Sequence, residues 1–283
     1  MTKANTDPSP LEVSPLPNRA EGELVARFTR SGHRTRVERV YEAGGLRLRF
    51  PKVVPGLMPD CEAVCVNTGG GMVGGDSARL AFSCGPGANV TFTTQSAEKI
   101  YRAKNAATTI DVSLNLDAGA RAEWLPQETI LFDRIHLRRR LDADISGDAS
   151  LLIVESLVFG RLAMGESVRS GELYDRWRIR RAGRLIFAED LRIAGDIAAI
   201  LDRPALGGGA RATATVLLVA PEAELLLESV RAALSVSAAD WGASAWNGML
   251  TVRALSRSPD RVRATIVAVL KALRGQAAPR VWQ

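Results

Sequence analysis

Polar and apolar residues alternate along much of the chain, which is the pattern of β-strands with one buried face. The runs that follow it best are residues 23–28, 36–41, 46–50, 174–179 and 185–188. Glycines and prolines separate several of these runs, as expected for turns between strands. The pattern therefore predicts a mainly β fold.

Three similar units lie between residues 80 and 155, each made of a strand, a glycine-containing turn and a second strand. The strand pairs are 80–82 with 90–95, 112–116 with 122–128, and 141–145 with 151–155. A repeat of about 30 residues is typical of stacked units that cover one another's apolar faces. We therefore expect a superhelical stack of antiparallel β-sheet layers. Unrelated hairpins with glycine turns would look similar, so they stay an alternative at this point.

Stacking of the units would place their polar ends close together. Gln95 and Glu98 follow the first unit, Gln127 and Glu128 end the second, and Glu155 ends the third. The repeat therefore predicts a cluster of amide and carboxylate side chains on one side of the stack.

The pattern changes after the Gly207-Gly208-Gly209 run, where strand, helix, strand and helix follow in succession. Pro221 is a start signal for the first of these α-helices. Ser258, followed by Pro259, is a start signal for the second, and Gly275 is its stop signal. The second helix is expected to bury Val262, Ile266, Val269 and Leu273.

These patterns divide the chain into three parts. Residues 1–21 are polar and contain four prolines, so we expect a flexible leader rather than a signal peptide. Residues 22–206 form the predicted β-sheet stack, and residues 207–283 form the helix-containing region packed on the same body.

The Gly-rich stretch at residues 67–76 is the most distinctive segment of the sequence. It contains five glycines, and two nucleotide-binding motifs partly match it. A dinucleotide-binding motif must open a helix, but the residues that follow alternate as a strand does. A P-loop needs a lysine where this chain has Asp76, whose carboxylate would repel a phosphate. We therefore expect a tight turn between two strands, with a nucleotide-dependent enzyme as the alternative.

Composition narrows the protein class. Hydrophobic residues make up 46% of the chain and charged residues 24%, as in a soluble globular protein. No apolar run approaches the roughly 20 residues that span a bilayer, so no membrane association is expected. The three cysteines cannot all pair within the chain, which favours a reducing, cytoplasmic location.

The net charge of +6 raises the possibility of a nucleic-acid-binding protein. Arginines cluster in residues 34–39, 138–140 and 176–184, but aromatic residues, at 5%, do not interleave with them to form base-stacking platforms. The arginines alternate with apolar residues, as on the solvated face of a strand. Nucleic-acid binding therefore stays a secondary alternative, and no nucleic-acid partner is expected.

Candidate chemistry is sparse. His33 and His136 fall in no metal-ligand or nucleophile pattern. Cys61, Cys65 and Cys84 could meet across a sheet, but buried free thiols are commoner than ligands. Carboxylates beside turns or strand ends are the larger group, namely Asp76, Glu98, Glu128, Asp133, Glu155 and Glu166. Structural ion pairs with Lys99, Arg102, Arg134 and Arg161 are the alternative role for them.

Several segments resemble the urease accessory protein UreD (UreH) family. They are Asn67-Thr68-Gly69-Gly70-Gly71-Met72-Val73-Gly74-Gly75-Asp76, residues 93–102, Leu125-Pro126-Gln127-Glu128-Thr129-Ile130-Leu131-Phe132, Glu155 with Gly160-Arg161 and Gly165-Glu166, and the tail Pro279-Arg280-Val281-Trp282. The matches run in family order across most of the chain. Arg134 and His136 stand where small residues are expected, and the chain ends at Gln283 without the family's usual further residues. Both differences concern surface contacts more than the fold.

The resemblance implies a non-enzymatic nickel-insertion chaperone. Members of the family bind apo-urease and the partner UreF, which recruits the GTPase UreG, and a homodimer within that complex is one expected arrangement. The implied fold is a superhelical β stack with two helices, and nickel is thought to pass through a tunnel in it.

Nickel in transit fits the ligands that the chain offers. Ni(II) is held firmly by imidazole and thiolate groups, whereas this chain offers spaced carboxylates and no histidine cluster. We therefore expect no tightly bound cofactor. We expect transient nickel contact by some of Asp76, Glu98, Glu128, Asp133, Glu155 and Glu166.

Overall fold

The computed structural model describes residues 19–52 and 61–282. Residues 1–18, most of the expected leader, lie outside the described residues. The strands are β1 Glu21–Ser31, β2 Arg34–Ala43, β3 Leu46–Arg49, β4 Cys61–Asn67, β5 Ser77–Cys84, β6 Asn89–Thr94, β7 Glu98–Ile100, β8 Thr108–Leu116, β9 Arg121–Leu125, β10 Thr129–Leu131, β11 Ile135–Ile145, β12 Ser150–Phe159, β13 Gly171–Arg181, β14 Arg184–Gly195, β15 Ala212–Val219, β16 Asp240–Trp246 and β17 Met249–Ser256. The prediction of a mainly β fold is confirmed.

Three α-helices accompany the strands in the described ranges. They are α1 Ile197–Asp202, α2 Leu227–Leu234 and α3 Pro259–Arg274, with short 3-10 helices at Leu162–Met164, Ala223–Leu226 and Arg280–Trp282. The two predicted helices of the C-terminal region are α2 and α3, but α2 begins at Leu227, after the 3-10 helix Ala223–Leu226, and not at Pro221 as predicted. The sequence pattern did not predict α1, which at six residues is too short to show a helical period.

The fold consists mainly of two β-sheets that face each other. The first sheet has the strand order β14-β13-β11-β8-β5-β1-β2. The second has the order β16-β17-β15-β12-β9-β6-β4-β3, with β10 pairing β12 and β7. Apolar side chains from both sheets fill the space between them, including Phe82 and Phe92, whose rings stack with centroids 4.4 Å apart.

The predicted repeat is confirmed, but its strand pairing differs from the prediction. In each unit the first strand enters the first sheet and the second strand enters the second sheet. Equivalent strands of successive units then pair in parallel, β5 with β8 and β8 with β11 in the first sheet, and β6 with β9 and β9 with β12 in the second. The expected antiparallel layers were wrong because each turn carries the chain across to the facing sheet. Antiparallel pairing occurs where flanking strands join, as in β1 with β2, β13 with β14 and β15 with β12 of the third unit.

The glycine-rich stretch joins β4 in the second sheet to β5 in the first. A strand, and not a helix, follows Gly75, as predicted. Gly71 adopts a φ of +147°, and a Cβ there would lie 2.4 Å from Cε2 of Tyr101. Asp76 closes the turn, since its carboxylate accepts hydrogen bonds from the backbone N–H groups of Val73, at 2.8 Å, and Ala20, at 2.9 Å. An aspartate at this position is therefore explained by the turn itself.

Helices α2 and α3 cover the outer face of the second sheet. A second apolar core forms there, containing Val230 and Leu234 of α2 and Val262, Ile266 and Val269 of α3. Pro259 and Gly275 start and end α3 as predicted, and Gly275 has the left-handed conformation. Leu273 is only half-buried, and Leu270 occupies the buried position in its place.

The strand-helix-strand-helix prediction for the C-terminal region missed one strand. Residues 240–246 form β16, which pairs with β17 in an antiparallel hairpin. Its buried-facing positions are small or only partly covered, as with Ala243 and Ala245. The segment therefore lacks the strongly apolar alternation that predicts strands elsewhere.

Candidate functional site

An arginine occupies an inward-facing position in the centre of the first sheet. Along β11 the buried side chains alternate, and Arg139 lies between Leu137 and Leu141 in that buried series. Only 5% of its side chain is exposed. A cation at this position needs partners, because an unpaired buried charge would be strongly destabilising.

Two carboxylates from different sheets bind the Arg139 guanidinium. Asp175 on β13 accepts two hydrogen bonds from it, at 3.1 Å from Nε and 2.5 Å from Nη2. Glu155 on β12 of the facing sheet accepts another from Nη1. Trp124 also donates from Nε1 to Glu155, over 2.8 Å. The three charged groups link the sheets and leave one negative charge in excess.

Burial and charge act in opposite directions on these groups. Burial raises the pKa of Glu155, and the nearby Asp175 adds to that rise, while the Arg139 guanidinium opposes it. Burial alone would lower the pKa of Arg139, but Asp175 and Glu155 raise it above the ordinary value. Arg139 therefore stays charged. Its contacts with Asp175 and Glu155 offset the cost of burying these charges only because the hydrogen bonds between them are well placed.

Two cavities flank this cluster between the sheets. The first, of about 110 Å³, extends toward β8 and β5 on one sheet and β4 on the other. The second, of about 160 Å³, extends toward β13, β14, β15 and β17. Arg139 and Glu155 line both cavities. Their salt bridge therefore stands between the two spaces.

Each cavity has exposed residues in its lining. Gln95 and Ser96, both exposed, line the first cavity, and Leu206, 58% exposed, lines the second. The Arg139–Glu155 contact is common to the linings of both cavities.

Glu98 lies beside the glycine-rich stretch in the first cavity. The amide of Asn67 donates to both of its carboxylate oxygens, at 3.1 and 3.0 Å. Burial raises the pKa of Glu98, although Asn67 and the backbone N–H of Lys99 oppose the rise. Gln95, Gln127 and Glu155 line the same cavity, so the predicted cluster of polar ends forms, except for Glu128.

Comparison with known proteins identifies the family. The family model for the UreD urease accessory protein matches residues 20–283. A urease accessory protein UreD of Xanthobacter autotrophicus is 48% identical over 267 residues, covering 94% of this chain and 91% of that protein. Its counterpart in Beijerinckia indica is also 48% identical, covering 94% of this chain and 97% of that protein. The chain belongs to the UreD urease accessory protein family.

The segments that carry the UreD resemblance converge on the first cavity. Its lining includes Asn67, Gly70 and Gly71 from the glycine-rich stretch and residues 94–99 from the next segment. Pro126 and Gln127 from the third segment and Glu155 from the fourth complete it. Segments that are far apart in the sequence thus line the same cavity between the two sheets.

The six candidate carboxylates lie in different parts of the structure. Glu98 and Glu155 line the first cavity. Asp133 and Glu166 line a surface cleft, and Glu128 binds Arg263 over 3.1 Å, next to α3. Asp76 is 6% exposed and is used by the turn. Nickel contact by any of the six stays a prediction, with Glu98 and Glu155 best placed for it.

The sequence analysis missed Arg139 and Asp175. Arg139 was assigned to the solvated face of a strand, and this was wrong, because it is 4% exposed. The expectation suits other strand arginines, such as Arg138 and Arg140, which are exposed. The missed signal was the period-two alternation itself, which places Arg139 on the same face as Leu137.

Cys61, Cys65 and Cys84 form no disulfide with one another. Cys65 lines the first cavity, and burial raises its pKa to about 12. Across residues 19–52 and 61–282, no group of three or more His, Cys, Asp or Glu side chains is placed to hold a metal ion together. No helix in those ranges is long and apolar enough to cross a membrane.

Proposed function

We propose that this protein is a non-enzymatic chaperone for nickel insertion into urease. It binds apo-urease and UreF, reaches the GTPase UreG through UreF, and acts in the cytoplasm. Membership of the UreD family over residues 20–283 is the observation that carries the proposal. The relatives' names state an accessory role in relation to urease.

The cavities between the sheets support a role in passing nickel rather than storing it. Their polar lining supplies carboxylate and amide oxygens, from Glu98, Gln127 and Glu155. Oxygen donors of this kind bind Ni(II) less firmly than imidazole or thiolate, so an ion can leave again. Arg139, Glu155 and Asp175 together carry one excess negative charge, which favours the approach of a cation from either cavity.

Passage requires Glu155 to exchange one cation for another. An ion that reaches Glu155 from the first cavity competes with Arg139 for its carboxylate. Asp175, which binds Arg139 through two hydrogen bonds, can retain the guanidinium while Glu155 turns to the metal. We propose that this exchange carries nickel from the first cavity to the second without a tightly bound state.

The test of the accessory role is co-purification with its partners. The tagged full chain, expressed with the urease structural subunits and UreF, is expected to co-purify with both. Omitting the chain should leave urease protein at its normal level but without nickel-dependent activity. Recovery of the tagged chain alone, together with full urease activity in its absence, would contradict the proposed function.

A further inference from the structure

A surface cleft on the far side of the glycine-rich stretch is strongly basic. It has a volume of about 640 Å³, within the range of small-molecule sites. Five cationic side chains and two carboxylates line it, which leaves an excess of three positive charges. The cations are Arg19, Arg102, Lys104, Arg134 and Arg161, and the carboxylates are Asp133 and Glu166.

Both carboxylates of the cleft are already engaged. Oδ1 of Asp133 accepts the backbone N–H groups of Arg169, at 2.7 Å, and Ser170, at 3.0 Å. Glu166 accepts from Nε of Arg161 over 2.7 Å, and this hydrogen bond lowers the pKa of Glu166. Their charges hold the wall of the cleft in place and leave most of the cations available.

The remaining cations lack comparable partners among the described residues. Arg102 and Lys104 are exposed and have no carboxylate within 4.0 Å there. Arg134 reaches Asp133 only at 3.9 Å, with 71% of its side chain exposed. Nε of Arg19 is buried without a hydrogen-bond partner in the same described part of the chain. The N–H groups of these cations are therefore available to donate hydrogen bonds to a bound ligand.

The backbone at Arg134 points to a function for its side chain. Arg134 has a φ of +62°, a left-handed conformation that glycine or asparagine adopts more easily than arginine. Its N–H donates to Ser170 over 2.7 Å and its carbonyl accepts from Ala103 over 2.9 Å. The turn would form at least as readily with glycine, so folding alone does not account for an arginine here.

Aromatic rings form the rest of the wall. Tyr101 and Phe132 meet edge to face with centroids 4.8 Å apart, and the Arg161 guanidinium lies 4.6 Å above the Phe132 ring. Arginine forks match the oxygen pairs of phosphate and carboxylate groups. We propose that this cleft binds a small polyvalent oxyanion that carries phosphate or carboxylate groups.

The experiment is titration calorimetry on the full chain at constant ionic strength. Pyrophosphate and citrate are the two probes, one for each oxyanion class. Saturable binding of one probe at a single site is expected, and the stronger probe identifies the class. Arg134→Gly should weaken that binding about tenfold while leaving the melting temperature unchanged or raised.

Two further variants make the test specific. Arg102→Ala combined with Lys104→Ala should also weaken binding, whereas Arg138→Ala, which removes an exposed charge from the outer face of β11, should not. Absence of saturable binding for both probes would overturn the proposal, as would equal binding by Arg134→Gly and Arg138→Ala. Binding of a polyglutamate peptide but of neither probe would also overturn it, by showing a protein-docking surface instead.

Discussion

Replacing Arg139 with methionine is expected to lower the free energy of unfolding by about 3–5 kcal/mol. Methionine fills similar space, but Glu155 and Asp175 would then face each other as buried carboxylates without a cation. Both are nearly inaccessible to water, at 6% exposed each. Urea denaturation followed by circular dichroism measures the change. The effect should be larger at pH 8 than at pH 5, because burial raises the pKa of Glu155 and lower pH allows its carboxylate to take up a proton.

Two companion variants separate charge pairing from packing. Arg138→Met changes the exposed neighbour on the same strand and should alter stability by no more than about 0.5 kcal/mol. Combining Arg139→Met with Glu155→Gln and Asp175→Asn removes all three charges and should recover most of the loss. If Arg139→Met alone leaves stability unchanged, the described salt-bridge cluster does not hold the sheets together.

Glu155→Gln is expected to reduce nickel-dependent urease activation by about tenfold or more. Glutamine keeps the shape of the side chain and can still accept from Trp124, while Arg139 retains its paired contact with Asp175. The substitution therefore removes the negative charge that would receive nickel with little change in the fold. Urease activity at several nickel concentrations measures the effect, with assembly of the complex checked by co-purification.

Glu128→Gln is the matched control for this prediction. Glu128 belongs to the same set of candidate carboxylates but lies outside the first cavity, against Arg263. Glu98→Gln, which changes the second carboxylate of the cavity, should behave as Glu155→Gln does. Equal activation by all three variants would show that nickel does not pass through the first cavity. The chain would then act only by binding its protein partners.

The regular parts of the fold could be predicted because their signals are local. Alternation along each strand and the Ser258-Pro259 and Gly275 signals around α3 depend only on neighbouring residues. Parallel pairing of β5, β8 and β11 was not predictable in this way. The same glycine turn can fold a strand back on its own sheet or send it across to the facing one, and only packing decides between them.

The candidate site was predictable only in part. Repeat spacing brought Gln95, Glu98, Gln127 and Glu155 to one cavity, as expected from equivalent positions in stacked units. Asp76 was misleading because its carboxylate caps a turn through backbone contacts that no motif describes. Asp175 becomes visible as a partner only once the parallel register places it opposite Arg139.

A cavity-blocking label tests the central claim most directly. Ala97 is half-buried in the lining of the first cavity, and a cysteine there can be coupled to a bulky maleimide. Cys61→Ser serves as the background. Burial raises the pKa values of Cys65 and Cys84 to about 12, which keeps those thiols unreactive. Val236→Cys, at a residue that is 88% exposed, is the matched labelling control.

The measurement is the number of nickel ions per urease active site after activation with each labelled protein. Labelled Ala97→Cys should co-purify with urease but leave it nearly free of nickel, whereas its unlabelled form and labelled Val236→Cys should fill the site. Full nickel content with labelled Ala97→Cys would show that nickel does not travel between the sheets.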